Sequence, residues 1–230
     1  MPTKLYTILR GLTKQQILKF SNQMCDHGHP LIVHTSCLEK AIGYVERVGH
    51  LDIETGLSFS ADYGMVISWC IKPDGEEIMG DWLQKKDFKT TDENYDKRIL
   101  GTCINAMGNF DRLIVYWGKD RRHDIPFLRT RALMMGLKFP LYQEQIVNDL
   151  YDTVRGKFRF ERNSMARACE AFGIKSKAHP IDYKTWKKAL VGHSDESIAY
   201  IYEHNKEDVI STEALYQAIN HFSSNPKTSI

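Results

Sequence analysis

The chain has 230 residues and a mass of 26.6 kDa, which suits one domain of ordinary size with a small appendage and a sizeable core. An apolar fraction of 42% with 11% aromatic residues argues against intrinsic disorder, and the apolar runs are too short for a transmembrane helix. The formal net charge of only +2, from 31 Lys and Arg against 29 Asp and Glu, does not by itself point to nucleic acid as a partner.

The N-terminus and the cysteines predict a cytoplasmic protein. Residues 1–6 lack the apolar stretch and the small-residue cleavage site of a secretory signal. The five cysteines are scattered, odd in number and never spaced as Cys-x-x-Cys, which without a signal peptide indicates reduced thiols. They are Cys25, Cys37, Cys70, Cys103 and Cys169.

The first 45 residues differ from the rest and are predicted to form a helical and loop extension. A capping box opens at Thr13, and apolar residues follow it at helical spacing, which predicts a helix over about residues 13–25. Residues 25–37 are rich in His with Gly and Pro between them, which predicts a loop.

Residues 46–222 are predicted to form one α/β domain. Three meander strands come first, and helices then alternate with a further strand, which is typical of a mixed sheet flanked by helices. The expected strands lie near 48–54, 65–71, 77–79 and 113–116, and the expected helices near 92–107, 125–136, 148–155, 164–172 and 194–222. Residues 223–230 are expected to be a flexible tail.

Asp52 and Glu54 are an informative pair, because they alternate with Leu51 and Ile53 in the first predicted strand. Residues i and i+2 of a strand project from the same face, so the two carboxylates point together. Their repulsion is costly unless a cation lies between them, and hard oxygen ligands suit Mg²⁺ or Mn²⁺. Taken alone, such a pair more often belongs to an exposed strand face that is simply acidic.

Two further acids strengthen the case for a metal site. Asp124 opens the helix predicted near 125–136; taken alone it is best explained as an N-cap, a role compatible with facing a cleft. Asp208 follows His204 at i+4 in the last predicted helix, so the imidazole and the carboxylate share one helix face. Taken alone, that pair is more simply an exposed polar stripe.

Together and in this order, the four acids resemble those of the DEDD 3′→5′ exonucleases of the ribonuclease H-like superfamily. The supporting segments are Gly49-His50-Leu51-Asp52-Ile53-Glu54-Thr55, Val115-Tyr116-Trp117-Gly118 and Asp124-Ile125-Pro126-Phe127-Leu128-Arg129-Thr130-Arg131-Ala132. Over residues 47–220 the chain is similar to the YprB-type exonuclease domain, which is related to the proofreading domains of family B polymerases.

The resemblance implies a ribonuclease H-like fold and hydrolysis of phosphodiester bonds from the 3′ end with two Mg²⁺ or Mn²⁺ ions. His204 would be the general base, although it precedes Asp208 by four residues, the spacing of tyrosine-type members, whereas histidine-type members usually use five. The segment between Gly118 and Asp124 is also longer than is common in the family. The metal ligands carried over to this chain are Asp52, Glu54, Asp124 and Asp208.

The charges are distributed unevenly, which changes what the net charge implies. Residues 155–188 hold ten Lys and Arg against three acids, whereas residues 74–96 hold eight acids against three Lys. Basic residues near a cleft neutralise phosphates, so single-stranded nucleic acid is the expected substrate, with DNA favoured over RNA. Tyr151, Phe158 and Phe160 could stack on bases, but a core position is the simpler expectation. The residues expected to bind substrate are Thr55, Gly118, Arg121, Arg122, Arg129 and Arg155.

The predicted loop in the extension holds Cys25, His27, His29, His34 and Cys37 within thirteen residues. Four of them could form a tetrahedral zinc site, with Cys25, His27, His34 and Cys37 as ligands. Their spacing matches no standard zinc-ligand pattern. An ordinary loop is therefore the favoured interpretation, and structural zinc is the alternative.

Two other functions stay open at this point. An endonuclease on the same fold would use the same metal chemistry, which does not fix the requirement for a chain end. A module that binds nucleic acid without cutting it is the non-enzymatic alternative, although a decayed site has no need to keep repelling carboxylates together. No association with a membrane is expected.

Overall fold

A five-stranded mixed sheet forms the centre of the computed structural model, which describes residues 8–9, 11–89, 94–141, 144–175 and 180–223. The strands are β1 (Val48–Gly56), β2 (Met65–Pro73), β3 (Met79–Trp82), β4 (Arg112–Val115) and β5 (Ile146–Asp149). Their order is β3-β2-β1-β4-β5; β1, β2 and β3 form an antiparallel meander, and β4 and β5 run parallel to β1. The predicted α/β fold with a mixed sheet flanked by helices is confirmed.

The helices flank this sheet, and the last of them is by far the longest. They are α1 (Lys14–Asn22), α2 (Thr35–Ile42), α3 (Lys97–Met107), α4 (Asp124–Met134), α5 (Leu150–Lys157), α6 (Met165–Ala171), α7 (Tyr183–Leu190) and α8 (Asp195–Ile219). Short 3₁₀ turns occupy Leu31–Val33, Asp87–Lys89 and Asn220–Phe222. Helix α8 packs along β2 and β1, which places it beside the strand that carries the first two acids.

Local signals account for most of these boundaries, but three elements were missed. At α1 the Thr13 side chain accepts a hydrogen bond from the Gln16 backbone N–H, and the Gln16 side chain accepts one from the Thr13 backbone, as the capping box predicts. The missed elements β5, α2 and α7 are each at most eight residues long, too short for a clear period. Strand β3 begins where the predicted strand 77–79 ends. Helix α3 begins at Lys97, whereas the helix was predicted from residue 92, which lies outside the described residues.

Strand alternation divides the apolar side chains between two cores of the sheet domain. Leu113 and Val115 of β4 face the larger core, whereas Ile114 between them faces the second. The larger core packs the sheet against α3 and α4 through the fully buried Ile99 and Leu128. The second core packs it against α5, α6 and the C-terminal half of α8. Truncating a fully buried Leu or Ile to Ala costs about 2–5 kcal/mol of unfolding free energy, so these cores are a main source of the stability of the sheet domain.

Parts of the predicted ends lie outside the described residues. These parts are residues 1–7 and 10 of the extension and residues 224–230 of the tail. In the described part of the chain no helix has both the length and the apolar character needed to cross a bilayer. The five cysteines form no disulfide.

Candidate active site

The first two acids lie on one face of β1. Leu51 and Ile53 point into the larger core and are 0% and 5% exposed, so Asp52 and Glu54, which alternate with them, project together from the opposite face. The register between β1 and β2 shifts between Glu54 and Thr55, which marks a β-bulge just after the second acid. The residues after this bulge line a cleft.

The last helix brings a histidine and a third carboxylate to the same place. His204 and Asp208 share one face of α8, and His204 Nε2 lies 3.5 Å from Asp208 Oδ2. The same nitrogen lies 3.5 Å from Glu54 Oε1 on β1. The potential ligand atoms of the three residues all lie within 4.8 Å of one another. Packing of α8 on the sheet therefore joins two motifs that are distant in the sequence.

Asp124 completes the set of four acids. It is the first residue of α4 and is only 4% exposed. The N-cap of this helix is His123, which makes no side-chain capping bond, so the N-cap explanation of Asp124 does not hold. The Asp124 Oδ2 atom is buried and has no hydrogen-bond partner. A buried carboxylate oxygen in this state is costly, and a bound cation would satisfy it.

Gly118 leaves the space that Asp124 occupies. A Cβ atom at residue 118 would collide with Asp124 Oδ2 and would lie 2.8 Å from Val115 Cβ. The contacting carboxylate is fixed at the start of a helix, and the Val115 contact lies in a strand, so neither yields easily. The structure thus gives Gly118, which the sequence suggested as a substrate-binding residue, a packing role beside a carboxylate.

The four carboxylates repel one another at the edge of the core. Burial raises the pKa of the Asp124 carboxyl well above its ordinary value, and nearby negative charges raise it further. Those charges belong to Asp52, Asp149, Glu54 and Asp208. Oxygen donors gathered in this way suit a hard divalent cation such as Mg²⁺ or Mn²⁺, whose charge offsets theirs. The predicted ligand set therefore fits a divalent-metal centre.

Asp149, at the end of β5, was not among the predicted site residues, yet it organises the loop that carries Gly118. Its carboxylate accepts hydrogen bonds from the backbone N–H groups of Trp117 and Lys119, at 2.8 and 3.0 Å. Its side chain is 0% exposed and also pairs with Arg122 at 2.5 Å. The sequence prediction placed Asp149 inside a helix near 148–155, whereas Asp149 is the N-cap of α5, a position that aspartate favours.

Asn205 is a second residue that the sequence did not single out. Its Nδ2 donates a hydrogen bond to Asp52 Oδ2 at 2.6 Å, and its Oδ1 accepts one from Ser68 Oγ at 3.2 Å. The residue is fully buried. A buried amide in this position fixes the orientation of the Asp52 carboxylate. Its position three residues before Asp208 was visible in the sequence, but its partners were not.

The four acids and residues of α7 both line a cleft of ≈ 760 Å³. Aromatic side chains in its wall are unusually open: Phe59 is 88% exposed, Tyr183 78% and Trp117 49%. Trp117 and Leu57, which also line the cleft, have φ angles of 61° and 69°, in the left-handed region that non-glycine residues seldom adopt except at functional sites. Open aromatic faces of this kind can stack on unpaired bases.

The residues predicted to bind substrate are only partly gathered by this cleft. Thr55 lines it, and Thr55 Oγ1 lies 2.9 Å from His123 Nε2. Among the described residues that line the cleft, Lys187 of α7 carries a positive charge. It belongs to the basic segment 155–188 but was not singled out from the sequence. The helix that carries Lys187 was itself missed, and so its position could not be anticipated.

The four arginines in the predicted set are not among the residues that line the cleft. Arg122 is held by ion pairs with Asp149 and Asp152. The guanidinium of Arg129 lies 5.7 Å from the centre of the Phe139 ring. The remaining two are exposed; they are Arg121 and Arg155.

The aromatic residues for which base stacking was considered serve mainly in packing. Phe158 and Phe160 pack against the second core, with ring centroids 6.1 Å apart. The Tyr151 ring lies 4.5 Å from the Arg122 guanidinium. A core or packing position, the simpler expectation for these residues, agrees with these contacts.

A second cluster of potential metal ligands lies in the N-terminal extension, and we call it the Cys/His cluster. It consists of Cys25, His27, His34 and Cys37. One potential ligand atom from each residue lies within 4.8 Å of all the others, and none of the four residues lines the cleft. Its donors are sulfur and nitrogen, whereas Glu54, His204 and Asp208 offer two carboxylates and an imidazole.

Comparison with known proteins identifies the superfamily of the sheet domain. A family model described as the RNase_H superfamily matches residues 50–220, which is most of the chain. Among solved structures, the family B DNA polymerase from the hyperthermophilic archaeon Pyrobaculum calidifontis matches with a TM-score of 0.61 and 18% identity, over 76% of this chain and 24% of the polymerase. The chain thus spans about a quarter of that polymerase, and the likeness shows a shared fold. No curated protein gives a significant match.

Proposed function

The chain belongs to the ribonuclease H superfamily, and on that premise we propose that it is a metal-dependent 3′→5′ exonuclease acting on single-stranded ends, with DNA preferred over RNA. Membership of the superfamily supports nuclease activity and a need for divalent metal ions in general. The observation that carries the proposal is the meeting of four carboxylates in one cleft, where Asp124 Oδ2 is buried without a hydrogen-bond partner.

The residues that would hold the metal ions are Asp52, Glu54, Asp124 and Asp208. Two divalent ions bound there would supply Lewis-acid stabilisation of the attacking and leaving oxygens. The chain's own contribution is to hold these carboxylates in place before substrate arrives. Asn205 orients the Asp52 carboxylate, and Gly118 leaves room for the Asp124 side chain. Asp149 holds the loop between β4 and α4 through two backbone hydrogen bonds.

His204 is the residue proposed to move a proton. Its Nε2 faces the carboxylates of Glu54 and Asp208 at 3.5 Å each, which puts the imidazole at the edge of the proposed centre. A neutral imidazole can accept a proton from the attacking water as a general base. Tyr202 is a poorer candidate, because its ring packs 4.3 Å from that of Trp82 and burial raises its pKa to about 12.

The proposed preference for single strands rests on the wall of the cleft. Phe59, Trp117 and Tyr183 offer open ring faces, and each base that stacks on such a face gains about 1–3 kcal/mol. Paired bases in a duplex cannot present these faces. Lys187 adds a positive charge beside the rings, where a phosphate would pass. The preference for DNA rests on the resemblance to polymerase proofreading domains.

The test uses single-stranded DNA and RNA labelled at either the 5′ or the 3′ end, incubated with Mg²⁺ or Mn²⁺. Wild-type protein should convert a 5′-labelled strand into a ladder and should release labelled mononucleotide at once from a 3′-labelled strand, with DNA degraded faster. Asp208→Ala should abolish this trimming, because it removes a carboxylate that is 5% exposed within the proposed centre.

The matched control is Asp62→Asn, which removes an exposed carboxylate in the loop after β1, outside the cleft lining. This variant should trim like the wild type. Full activity in Asp208→Ala would overturn the proposed site. Cutting of a circular single strand would instead indicate an endonuclease, and binding without any cutting would indicate the non-enzymatic alternative.

A further inference from the structure

The distances within the Cys/His cluster match the edges of a tetrahedral metal site. Cys25 Sγ lies 3.2 Å from His34 Nδ1 and 3.9 Å from His27 Nδ1, and Cys37 Sγ lies 3.4 Å from His27 Nδ1. A tetrahedral zinc site with Zn–S near 2.3 Å and Zn–N near 2.05 Å has a sulfur–nitrogen edge of about 3.6 Å. The three distances lie on both sides of that value. Three sulfur–nitrogen edges of the cluster therefore agree with one zinc ion between the four ligand atoms, which all lie within 4.8 Å of one another.

We propose that Cys25, His27, His34 and Cys37 bind one structural Zn²⁺ that ties the turn after α1 to the start of α2. Two thiolates and two imidazoles are the donor set of structural zinc sites and are poor ligands for Mg²⁺ or Mn²⁺. Four protein ligands leave no open position for water or substrate, so the role is structural and not catalytic. The spacing in the sequence favoured an ordinary loop; the side-chain geometry favours the zinc site.

The backbone folds tightly so that the two halves of the site meet. Cys25 and His27 lie on a turn in which the Gly28 N–H donates to the Cys25 carbonyl at 2.9 Å and Gly28 has a φ of 76°. His34 and Cys37 span the first turn of α2, where the Cys37 N–H donates to the His34 carbonyl at 3.0 Å. His34 is the N-cap of α2 and makes no side-chain capping bond, which leaves its ring directed to Cys25.

The extension has little apolar core with which to hold this arrangement alone. Its apolar cluster is separate from the two cores of the sheet domain. Among the described residues its buried members are Ile8, Phe20, Leu31 and Leu38. Units smaller than about 70 residues, such as this extension, usually add a metal, a disulfide or a partner surface to fold stably. The free Cys25 and Cys37 thiols form no disulfide, so a zinc ion is the cross-link that these residues offer.

The test is the zinc content of the full chain purified without chelators. Wild type should contain about one zinc ion per chain, and so should Asp208→Ala, in which the carboxylate centre is disabled. Cys37→Ser should lose the zinc. The matched control is His29→Ala, which removes an exposed imidazole of the same loop, 5.3 Å from the His34 ring but outside the ligand set; it should keep the zinc.

Co²⁺ can replace Zn²⁺ in the wild-type protein, and its visible spectrum then reports which ligands bind the metal. This measurement does not require Cys37→Ser to fold. The expected signal is the visible absorption of tetrahedral cobalt with thiolate ligands, retained in Asp208→Ala and in His29→Ala. Wild-type protein without zinc, equal zinc in Cys37→Ser, or a cobalt spectrum without thiolate bands would overturn the proposal. None of these readouts depends on nuclease activity, so failure of the proposed exonuclease function is distinguishable.

Discussion

Two of the groups of potential metal ligands among the described residues are built in opposite ways. The Cys/His cluster draws its four ligands from thirteen consecutive residues. The carboxylate centre (Asp52, Glu54, Asp124 and Asp208) draws its ligands from a strand, the start of a helix and the last helix. A local cluster can form from one short segment and a metal, whereas a dispersed centre requires the whole sheet domain to be folded first.

The two regions are stabilised in different ways. The carboxylate centre buries like charges that oppose folding, and the two cores of the sheet domain supply the stability that holds them together. The Cys/His cluster has only a small core beside it, so the proposed binding of a metal there would be part of folding itself. Changes in the carboxylate centre should therefore affect activity more than stability, and changes in the Cys/His cluster should do the reverse.

The largest expected effect is that of Asp52→Asn on activity. The change removes one negative charge from the proposed metal centre, and the loss of several kcal/mol of transition-state stabilisation corresponds to a fall in kcat of about 10³-fold or more. The melting temperature should stay the same or rise, because repulsion between the acids decreases. Single-turnover trimming, thermal melting and zinc content measure the three properties. Loss of zinc from this variant would show that the two regions do not behave independently.

Gly118→Ala should come next. The added methyl group collides with Asp124, and a displacement of about 1 Å in a catalytic group can cost about 10²-fold in rate. The overpacking should also cost about 1–3 kcal/mol of unfolding free energy. The control is Gly101→Ala in α3, where a Cβ meets nothing within 4 Å; it should gain about 0.5–1 kcal/mol in stability and leave activity unchanged. Equal effects of the two variants on trimming would contradict the packing role of Gly118.

Asn205→Ala should have a smaller effect. It removes the hydrogen bond that orients Asp52 and leaves Ser68 Oγ with one partner fewer, at a cost of about 1–3 kcal/mol in unfolding free energy. Loss of such a supporting contact typically weakens metal affinity or activity by about 10-fold or more. The control is Asn148→Ala, which loses a bond to Arg112 away from the cleft. Only Asn205→Ala should raise the Mn²⁺ concentration needed for half-maximal trimming. An equal rise in both variants would mean that Asn205 stabilises the fold in general and does not orient Asp52.

The smallest expected effect concerns the charges that meet the substrate. Lys187→Gln should lower the slope of log KM against log salt concentration by about 0.7, the value for one phosphate contact on a single strand. Arg155→Gln, which changes an exposed residue of α5 outside the cleft lining, should leave the slope unaltered. The reverse result would mean that the substrate phosphates contact Arg155, outside the cleft lining, and not Lys187 in the cleft wall.

The parts of the site that sequence reasoning reached are those governed by local backbone periodicity. Asp52 and Glu54 share a face because the side-chain period of a strand is two residues, and His204 and Asp208 share a face because a helix repeats every 3.6 residues. The capping box at Thr13 is likewise a relation between residues three apart. In each case the two residues lie within four positions of each other in the sequence, so the local backbone geometry alone brings them together.

The fold class, the order of the four acids along the chain and the membership of the ribonuclease H superfamily therefore follow from the sequence. Tertiary structure alone decided which polar residues support them, since Asn205 reaches Asp52 only because α8 packs on β1, and Asp149 reaches Trp117 only because β5 pairs with β4. It also decided that the cleft wall is aromatic and that four Cys and His side chains converge. Contacts between residues distant in the chain depend on packing and strand register, which no local pattern encodes.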